Sequence, residues 1–228
     1  MESHLSNRLA QVAAYVPKGA KLLDVGSDHA YLPIFLVESN QISAAIAGEV
    51  VKGPYESALK NVSQSGLCDQ VEVRLANGLA AFEEVDHVTA ISICGMGGRL
   101  IADILEAGKE KLQGIERLIL QPNNREDDLR TWLSANAFRI VAETIMTEND
   151  KYYEIIVAEP GSQKLSAKDL RFGPFLSREQ SAVFIGKWQR ELEKLAYALS
   201  CVPETNRDDR AAIQQKLNQI EEVINHES

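Results

Sequence analysis

The stretch Lys21-Leu22-Leu23-Asp24-Val25-Gly26-Ser27-Asp28-His29-Ala30-Tyr31-Leu32-Pro33 decides the fold. Lys21 to Val25 is a short apolar strand that runs straight into Gly26, and Leu32 to Ser39 reads as the helix that follows it. The same strand–turn–helix unit recurs outward along the chain. Ala44 to Ala47 is a buried strand ending at Gly48–Glu49, followed by a helix from Tyr55 to Ser65 that stops at Gly66. Val71 to Leu75 alternates as a strand and reaches Asn77–Gly78. Ala90 to Cys94 runs into Gly95-Met96-Gly97-Gly98, with a helix from Arg99 to Gly108. Arg117 to Leu120 reaches Gln121–Pro122, with a helix from Asp127 to Asn136. A helix from Leu5 to Tyr15 precedes the series, with Leu5, Leu9, Val12 and Ala13 on one stripe. Such alternation predicts an α/β fold with a doubly wound, mostly parallel sheet and right-handed crossovers. Arg139 to Thr147 and Tyr152 to Ala158 are strands with no helix between them, which predicts an antiparallel hairpin at the sheet edge.

Glu159-Pro160-Gly161 marks a boundary, giving a domain over 1–160 and a helical one over 161–228. Ser177-Arg178-Glu179-Gln180 matches a capping box and predicts a helix from there to about Ser200. Its apolar stripe is Phe184, Trp188, Leu192, Leu195 and Leu199. After Pro203 a second helix, from about Arg207, carries Ile213, Leu217, Ile220 and Ile224. The two predict an antiparallel, coiled-coil-like hairpin, packed on itself or on the sheet.

The chain has 228 residues, 45% of them hydrophobic, and a formal net charge of −9. That length supports one full domain and a smaller addition. No apolar run approaches the ~20 residues that span a bilayer. Met1 to Arg8 is polar, without the apolar region of a secretory signal, so a cytoplasmic protein is expected. Cys68, Cys94 and Cys201 are scattered, which speaks against a disulfide framework or a zinc site, and no metal is expected. The charge is uneven. Residues 1–161 hold 14 Lys and Arg against 23 Asp and Glu, whereas residues 162–228 hold 10 of each. Global acidity argues against a nucleic-acid partner unless basic residues cluster on one face.

In a doubly wound sheet the ligand sits outside the carboxyl ends of the strands. The polar and glycine-rich clusters fall at those ends. Gly26 allows a tight turn and close backbone approach to a ligand. Asp24 and Asp28 put negative charge beside it, and Ser27 and His29 complete the loop. A dinucleotide loop holds G-x-G-x-x-G and faces phosphates; here only its first glycine is present and the added carboxylates oppose a diphosphate. A cationic ligand such as S-adenosylmethionine, with its ammonium and sulfonium, suits the acid better. Glu49 lies 23 residues after Gly26, near the spacing of an acid that accepts from both ribose hydroxyls. Asn77, with Gly78, is either an adenine contact or a turn residue. Gly95, Met96 and Gly97 open a strand end to a ligand. Gln121, Pro122 and Asn123 shape a target pocket or turn the chain. His29 and Tyr31 are candidate substrate contacts, Tyr31 as a stacking platform or a core residue. Arg8 is a candidate phosphate partner or a solvated cation.

The run D-V-G-S-D-H-A-Y-L-P over residues 24–33 resembles the bacterial tRNA (adenine(22)-N1)-methyltransferase family, TrmK. Ser6-Asn-Arg-Leu9, Gly95-Met-Gly-Gly98, Gln121-Pro-Asn123 and Phe172-Gly-Pro174 carry the resemblance along nearly the whole chain. The chain departs from the general methyltransferase pattern in keeping only Gly26 of G-x-G-x-G, and it has Asn77 where Asp is expected in many relatives. The resemblance implies a Rossmann-like class I methyltransferase with a C-terminal coiled-coil-like domain. It implies S-adenosylmethionine as donor, S-adenosylhomocysteine as product, and N1 of adenine 22 in tRNA as acceptor. N1 lies on the Watson–Crick edge, so the base must be opened or flipped at a cost of about a few kcal/mol. Asp28 is then the candidate for stabilising the developing cation, and Asn123 and Tyr31 for holding the base. Lys164, Lys168, Arg171, Arg178, Lys187 and Arg190 are candidate tRNA contacts on the helical part. No membrane and no obligate protein partner is implied.

Two rival readings stand beside this one. One keeps the donor and moves the acceptor to a small molecule, a protein or rRNA. The other is a cofactor-sensing RNA-binding protein with no turnover.

Overall fold

The computed structural model describes residues 5–225. Met1 to His4, part of the polar N-terminal stretch, lie outside the described residues. The first helix, α1 (Asn7–Tyr15), is capped by Ser6, whose hydroxyl accepts from the Leu9 amide at 3.2 Å. The alternating series follows as β1 (Lys21–Val25), α2 (Tyr31–Glu38), β2 (Ala44–Glu49), α3 (Lys52–Gln64), β3 (Val71–Leu75), β4 (Ala90–Met96), α4 (Gly98–Ala107), β5 (Arg117–Pro122) and α5 (Glu126–Ala135). The hairpin is β6 (Phe138–Glu148) and β7 (Lys151–Pro160). All seven strands form one sheet in the order β3-β2-β1-β4-β5-β7-β6. The first five are parallel, and β7 is antiparallel to both β5 and β6. The hairpin is therefore at the edge as expected, with its second strand inserted against β5.

The sheet forms around strands that are largely apolar on both faces, β1, β2, β4, β5 and β7, while β3 at one edge alternates. In β7, Ile155 and Val157 enter one core, and Ile156 and Ala158 enter the other. Leu22 and Leu23 divide in the same way. Truncating either to Ala would cost about 2–5 kcal/mol.

After β7 come α6 (Ala167–Phe172), α7 (Leu176–Glu179), α8 (Ala182–Cys201) and α9 (Arg207–Asn225). The long helix does not start from Ser177. Ser177 lies inside α7, Gln180 turns left-handed at φ 48°, and Ser181 caps α8 by accepting from the Phe184 amide. A reciprocal capping box occurs earlier, between Ser166 and Asp169. Phe184, Trp188, Ile220 and Val223 pack with Phe172 and Leu176 in a third core that reaches Ile145 of β6. The helical hairpin is thus packed both on itself and on the sheet.

A buried ion network ties the two together. Arg130 of α5, fully buried, reaches Glu143 of β6 at 2.7 Å and Glu154 of β7 at 2.5 Å. Lys187 of α8 reaches Glu154 at 2.6 Å and Glu126 at 2.7 Å. Burial pushes the Glu154 carboxyl up, but Lys187 and Arg130 together hold it below its usual range. Burial dominates at Glu143 and raises it, against the pull of Arg130. Phe172-Gly173-Pro174 wraps this network. A Cβ on Gly173, at φ 84°, would lie 2.7 Å from the Glu143 carboxylate and 2.8 Å from Arg130. Among the described residues, no helix is long and apolar enough to cross a membrane.

Candidate active site

A cavity of about 520 Å³ opens at the carboxyl ends of β1, β2, β4 and β5. Gly26, at φ 67°, forms its floor turn. That backbone conformation is one L side chains rarely adopt, and a Cβ there would also have to displace the tip of Met96, 2.3 Å away. Ser27 is drawn back into β1, its hydroxyl donating to Asp24 at 2.6 Å. Ser92 donates to the other Asp24 oxygen, also at 2.6 Å. Asp24 is buried, and desolvation raises its carboxyl to about 6 despite the two hydroxyls, with Glu49 adding repulsion. Glu49 is buried at the end of β2 and accepts from the Val50 and Val51 amides at 2.9 and 3.2 Å. The next loop is strained: His29 and Ala30 both take left-handed φ, 64° and 57°. That turn leaves Asp28 exposed and stacks the His29 ring on Tyr31, with centroids 5.3 Å apart.

The opposite wall comes from β4, β5 and α1. Gln121 is fully buried, and its amide oxygen accepts from Arg8 at 2.5 Å and from the Gly95 amide at 3.0 Å. Its amide nitrogen donates to Asn123 Oδ1 at 3.1 Å, and Asn123 Nδ2 donates to the Gly95 carbonyl at 2.7 Å. Asn123 is therefore fixed through its side chain while remaining exposed. Arg8 lies 5.5 Å over the Tyr153 ring. Among the described residues no carboxylate pairs with Arg8. Cys94 also faces the cavity, and burial next to Asp24 pushes its thiol up, so it stays protonated.

Of the residues singled out by sequence, Arg8, Asp24, Gly26, Ser27, Asp28, Tyr31, Glu49, Gly95, Met96 and Asn123 meet at this cavity. Gln121 stands behind the wall it braces, beside buried Pro122. His29 reaches the site only through Tyr31 and Asp28. Asn77 is exposed and outside the lining, and Gly78 is needed against α4, since a Cβ would lie 2.9 Å from Ile104. The three glycines of residues 95–98 divide their roles. Gly95, at φ 75°, faces the cavity. Gly97 and Gly98 instead admit the loop after β5, a Cβ on Gly98 falling 2.1 Å from the Arg125 carbonyl. Leu9, Leu32, Cys94 and Tyr153 line the site without having been singled out. Tyr153 arrives only because β7 inserts beside β5, a pairing that no local pattern encodes.

A larger groove, about 1130 Å³, adjoins the first, with Asn123 and Tyr153 lining both. It runs between the loop after β5, the β6–β7 turn and helices α6, α8 and α9. Its lining holds seven basic residues and four acidic ones. The smaller cavity holds Arg8 against Asp24, Asp28 and Glu49. The basic clustering that a net charge of −9 conceals is therefore present, beside an acidic pocket. Arg171, Lys187 and Arg190 of the expected contacts lie in this groove, joined by Lys151, Lys194 and Lys216; Lys164, Lys168 and Arg178 do not. Lys187 is committed to Glu126 and Glu154 and is a structural cation. Among the described residues there is no cluster of three His, Cys, Asp or Glu able to hold a metal ion.

The model of the tRNA (adenine(22)-N(1))-methyltransferase family matches residues 22–222. The chain belongs to this family. It is 43% identical to the tRNA (adenine(22)-N(1))-methyltransferase of Bacillus subtilis, covering 99% of both chains. A Streptococcus pneumoniae protein solved in complex with S-adenosyl-L-methionine is 61% identical, with a TM-score of 0.92, covering 97% of this chain and 100% of that one. The M. capricolum TrmK, solved with S-adenosyl-homocysteine, is 32% identical with a TM-score of 0.87, covering 96% and 97%. The class I methyltransferase fold of the TrmK family is the one built here, with its helical C-terminus.

Proposed function

We propose that the chain binds S-adenosylmethionine in the acidic cavity and methylates N1 of adenine 22 in a tRNA held in the basic groove. The observation that carries the reading is this adjacency of an acidic, ligand-sized pocket and a cationic groove sharing one wall. A volume of about 520 Å³ falls within the range of small-molecule sites.

The residues fit the cofactor chemically. Asp24, a buried carboxylate that pairs with no cation among the described residues, matches an ammonium. Glu49 matches the ribose hydroxyls, its carboxylate already aimed by two amides. Arg8 lines this cavity and not the groove, so we assign it to the cofactor's carboxylate rather than to an RNA phosphate. Gly26, Gly95 and Met96 form the close-packed walls. When bound, the cofactor supplies an electrophilic methyl group.

The chain's own contribution is alignment, which can supply roughly 7–11 kcal/mol. Neutral adenine keeps a free lone pair on N1, so the site needs no strong general base. Asp28, exposed at the mouth, stands where a carboxylate would offset the positive charge that the base acquires. Asn123, braced by Gln121 and Gly95, offers its remaining amide valences to the base edge. Tyr31, stacked on His29, closes the rim. Lys151, Arg171, Arg190, Lys194 and Lys216 would take phosphates, the electrostatic part of RNA binding. We divide the chain functionally into a cofactor domain over 1–160 and a tRNA-contacting helical domain over 161–228. A cytoplasmic enzyme follows from that substrate.

The test is incubation with unmodified tRNA transcript and labelled methyl donor, then digestion to nucleosides. Label in 1-methyladenosine supports the proposal, and label in another nucleoside or none overturns it. Asp28→Asn should lower turnover more than cofactor affinity; equal rates for variant and wild type would remove Asp28 from the mechanism.

A further inference from the structure

We propose that Tyr153 is the platform on which the target base stacks as it passes from the groove to the cofactor cavity. This rests on the function proposed above and names a residue that would touch the substrate. Tyr153 and Asn123 are the two residues lining both spaces, so a base entering the cavity from the groove passes between them. Asn123 can meet the base edge, which leaves the base face to Tyr153. The ring is held for that task. It sits in β7, in register with Met146 of β6, and so on a strand held by hydrogen bonding to its hairpin partner. One residue on, Glu154 is clamped by Arg130 and Lys187. The Arg8 guanidinium lies 5.5 Å from the ring centroid. Among the described residues no aromatic ring stacks on Tyr153, unlike His29 with Tyr31. A half-buried aromatic side chain at the junction, with Arg8 over the ring and no ring stacked on it among the described residues, fits a purine that must leave its own stack. A tyrosine face also suits a base that becomes cationic on N1 methylation.

The experiment uses the full chain with wild-type Tyr153, Tyr153→Phe and Tyr153→Ala, each first checked for S-adenosylhomocysteine affinity by calorimetry. Two readouts follow: the single-turnover rate on tRNA transcript, and the fluorescence of a transcript with 2-aminopurine at position 22. Tyr153→Ala should cost the single-turnover rate clearly more than it costs S-adenosylhomocysteine affinity. It should lose on the order of tenfold or more in rate, the scale of one base–aromatic stack. Tyr153→Phe should recover most of that loss, because the ring and not the hydroxyl does the stacking. The 2-aminopurine should be quenched on the wild type and on Tyr153→Phe and brighter on Tyr153→Ala. An unchanged rate in Tyr153→Ala, a parallel loss of S-adenosylhomocysteine affinity, or a phenylalanine variant no better than alanine would overturn the assignment. If the wild type binds the cofactor product but leaves adenine 22 unmethylated, the proposed function fails. The fluorescence still decides the role of Tyr153: equal emission on wild type and Tyr153→Ala refutes it.

Discussion

Lowering the pH from 7.0 to 5.5 should weaken cofactor binding about fourfold, through Asp24. Burial raises this carboxyl from 3.8 to about 6 in the ligand-free chain. Being raised, it holds a proton in the folded chain that the unfolded chain has already lost. Its contribution to stability is therefore present below about pH 4 and lost as pH rises through 6. Carrying the buried charge at pH 7 costs the empty protein about 3 kcal/mol. An ammonium bound beside it would return the carboxyl toward its ordinary range and remove most of that cost. Binding then requires deprotonation. With a free-state value of about 6, roughly three quarters of the molecules are protonated at pH 5.5 and a tenth at pH 7.0, which gives the fourfold ratio. It also requires release of about 0.7 proton per ligand at pH 5.5 and about 0.1 at pH 7.0. Titration calorimetry with S-adenosylhomocysteine, in buffers of different ionisation heat, measures both quantities. Asp24→Asn should bind weakly, with a flat pH dependence and no proton release. His29→Gln removes the nearby imidazole and should keep the wild-type pattern. Equal affinity at both pH values without proton release, or a persistent pH effect in Asp24→Asn, would rule out Asp24 as the titrating group that meets the ligand.

Glu49→Ala should lower cofactor affinity by about tenfold or more, the cost of leaving ribose hydroxyls unpaired in a closed site; unchanged affinity in the same calorimetry would remove Glu49 from the site. Arg130→Met should destabilise the fold by about 3–5 kcal/mol, because it strips Glu143 of its paired cation and leaves Glu154 with Lys187 alone. Chemical denaturation reads this directly, and a loss below about 1 kcal/mol would show that the network does not hold the hairpin to the sheet.

The β-strands and most helices were legible because parallel strands buried on both faces read as short apolar runs between glycine turns. The predicted bounds of β1 and β3 coincide with those observed. β2, β4 and β5 extend two residues further, carrying Glu49, Met96 and Pro122 into the sheet itself. The cavity was legible to the extent that it is built from strand ends, which is why Asp24, Gly26, Glu49 and Gly95 meet there. What depends on distant pairing was not. Tyr153 looks like an ordinary strand residue until β7 is placed beside β5. Lys187 looks like a solvated cation until the Glu126 and Glu154 carboxylates close on it. Gly97 and Gly98 look like a ligand loop, yet Gly97 lies against the Asn124 side chain and Gly98 makes room for the backbone of Asn124 and Arg125. The start of α8 was misplaced because Ser177 and Ser181 both offer a capping hydroxyl, and the left-handed Gln180 between them decides in favour of the second.

Methylation of adenine 22 is tested most directly with two unmodified tRNA transcripts that differ only at position 22, one with adenine and one with guanine. Each is incubated with the chain and labelled S-adenosylmethionine, then digested to nucleosides. The first transcript should yield 1-methyladenosine and the second no label. Equal labelling of both, or label in neither from a chain that binds S-adenosylhomocysteine, would contradict the proposed methylation.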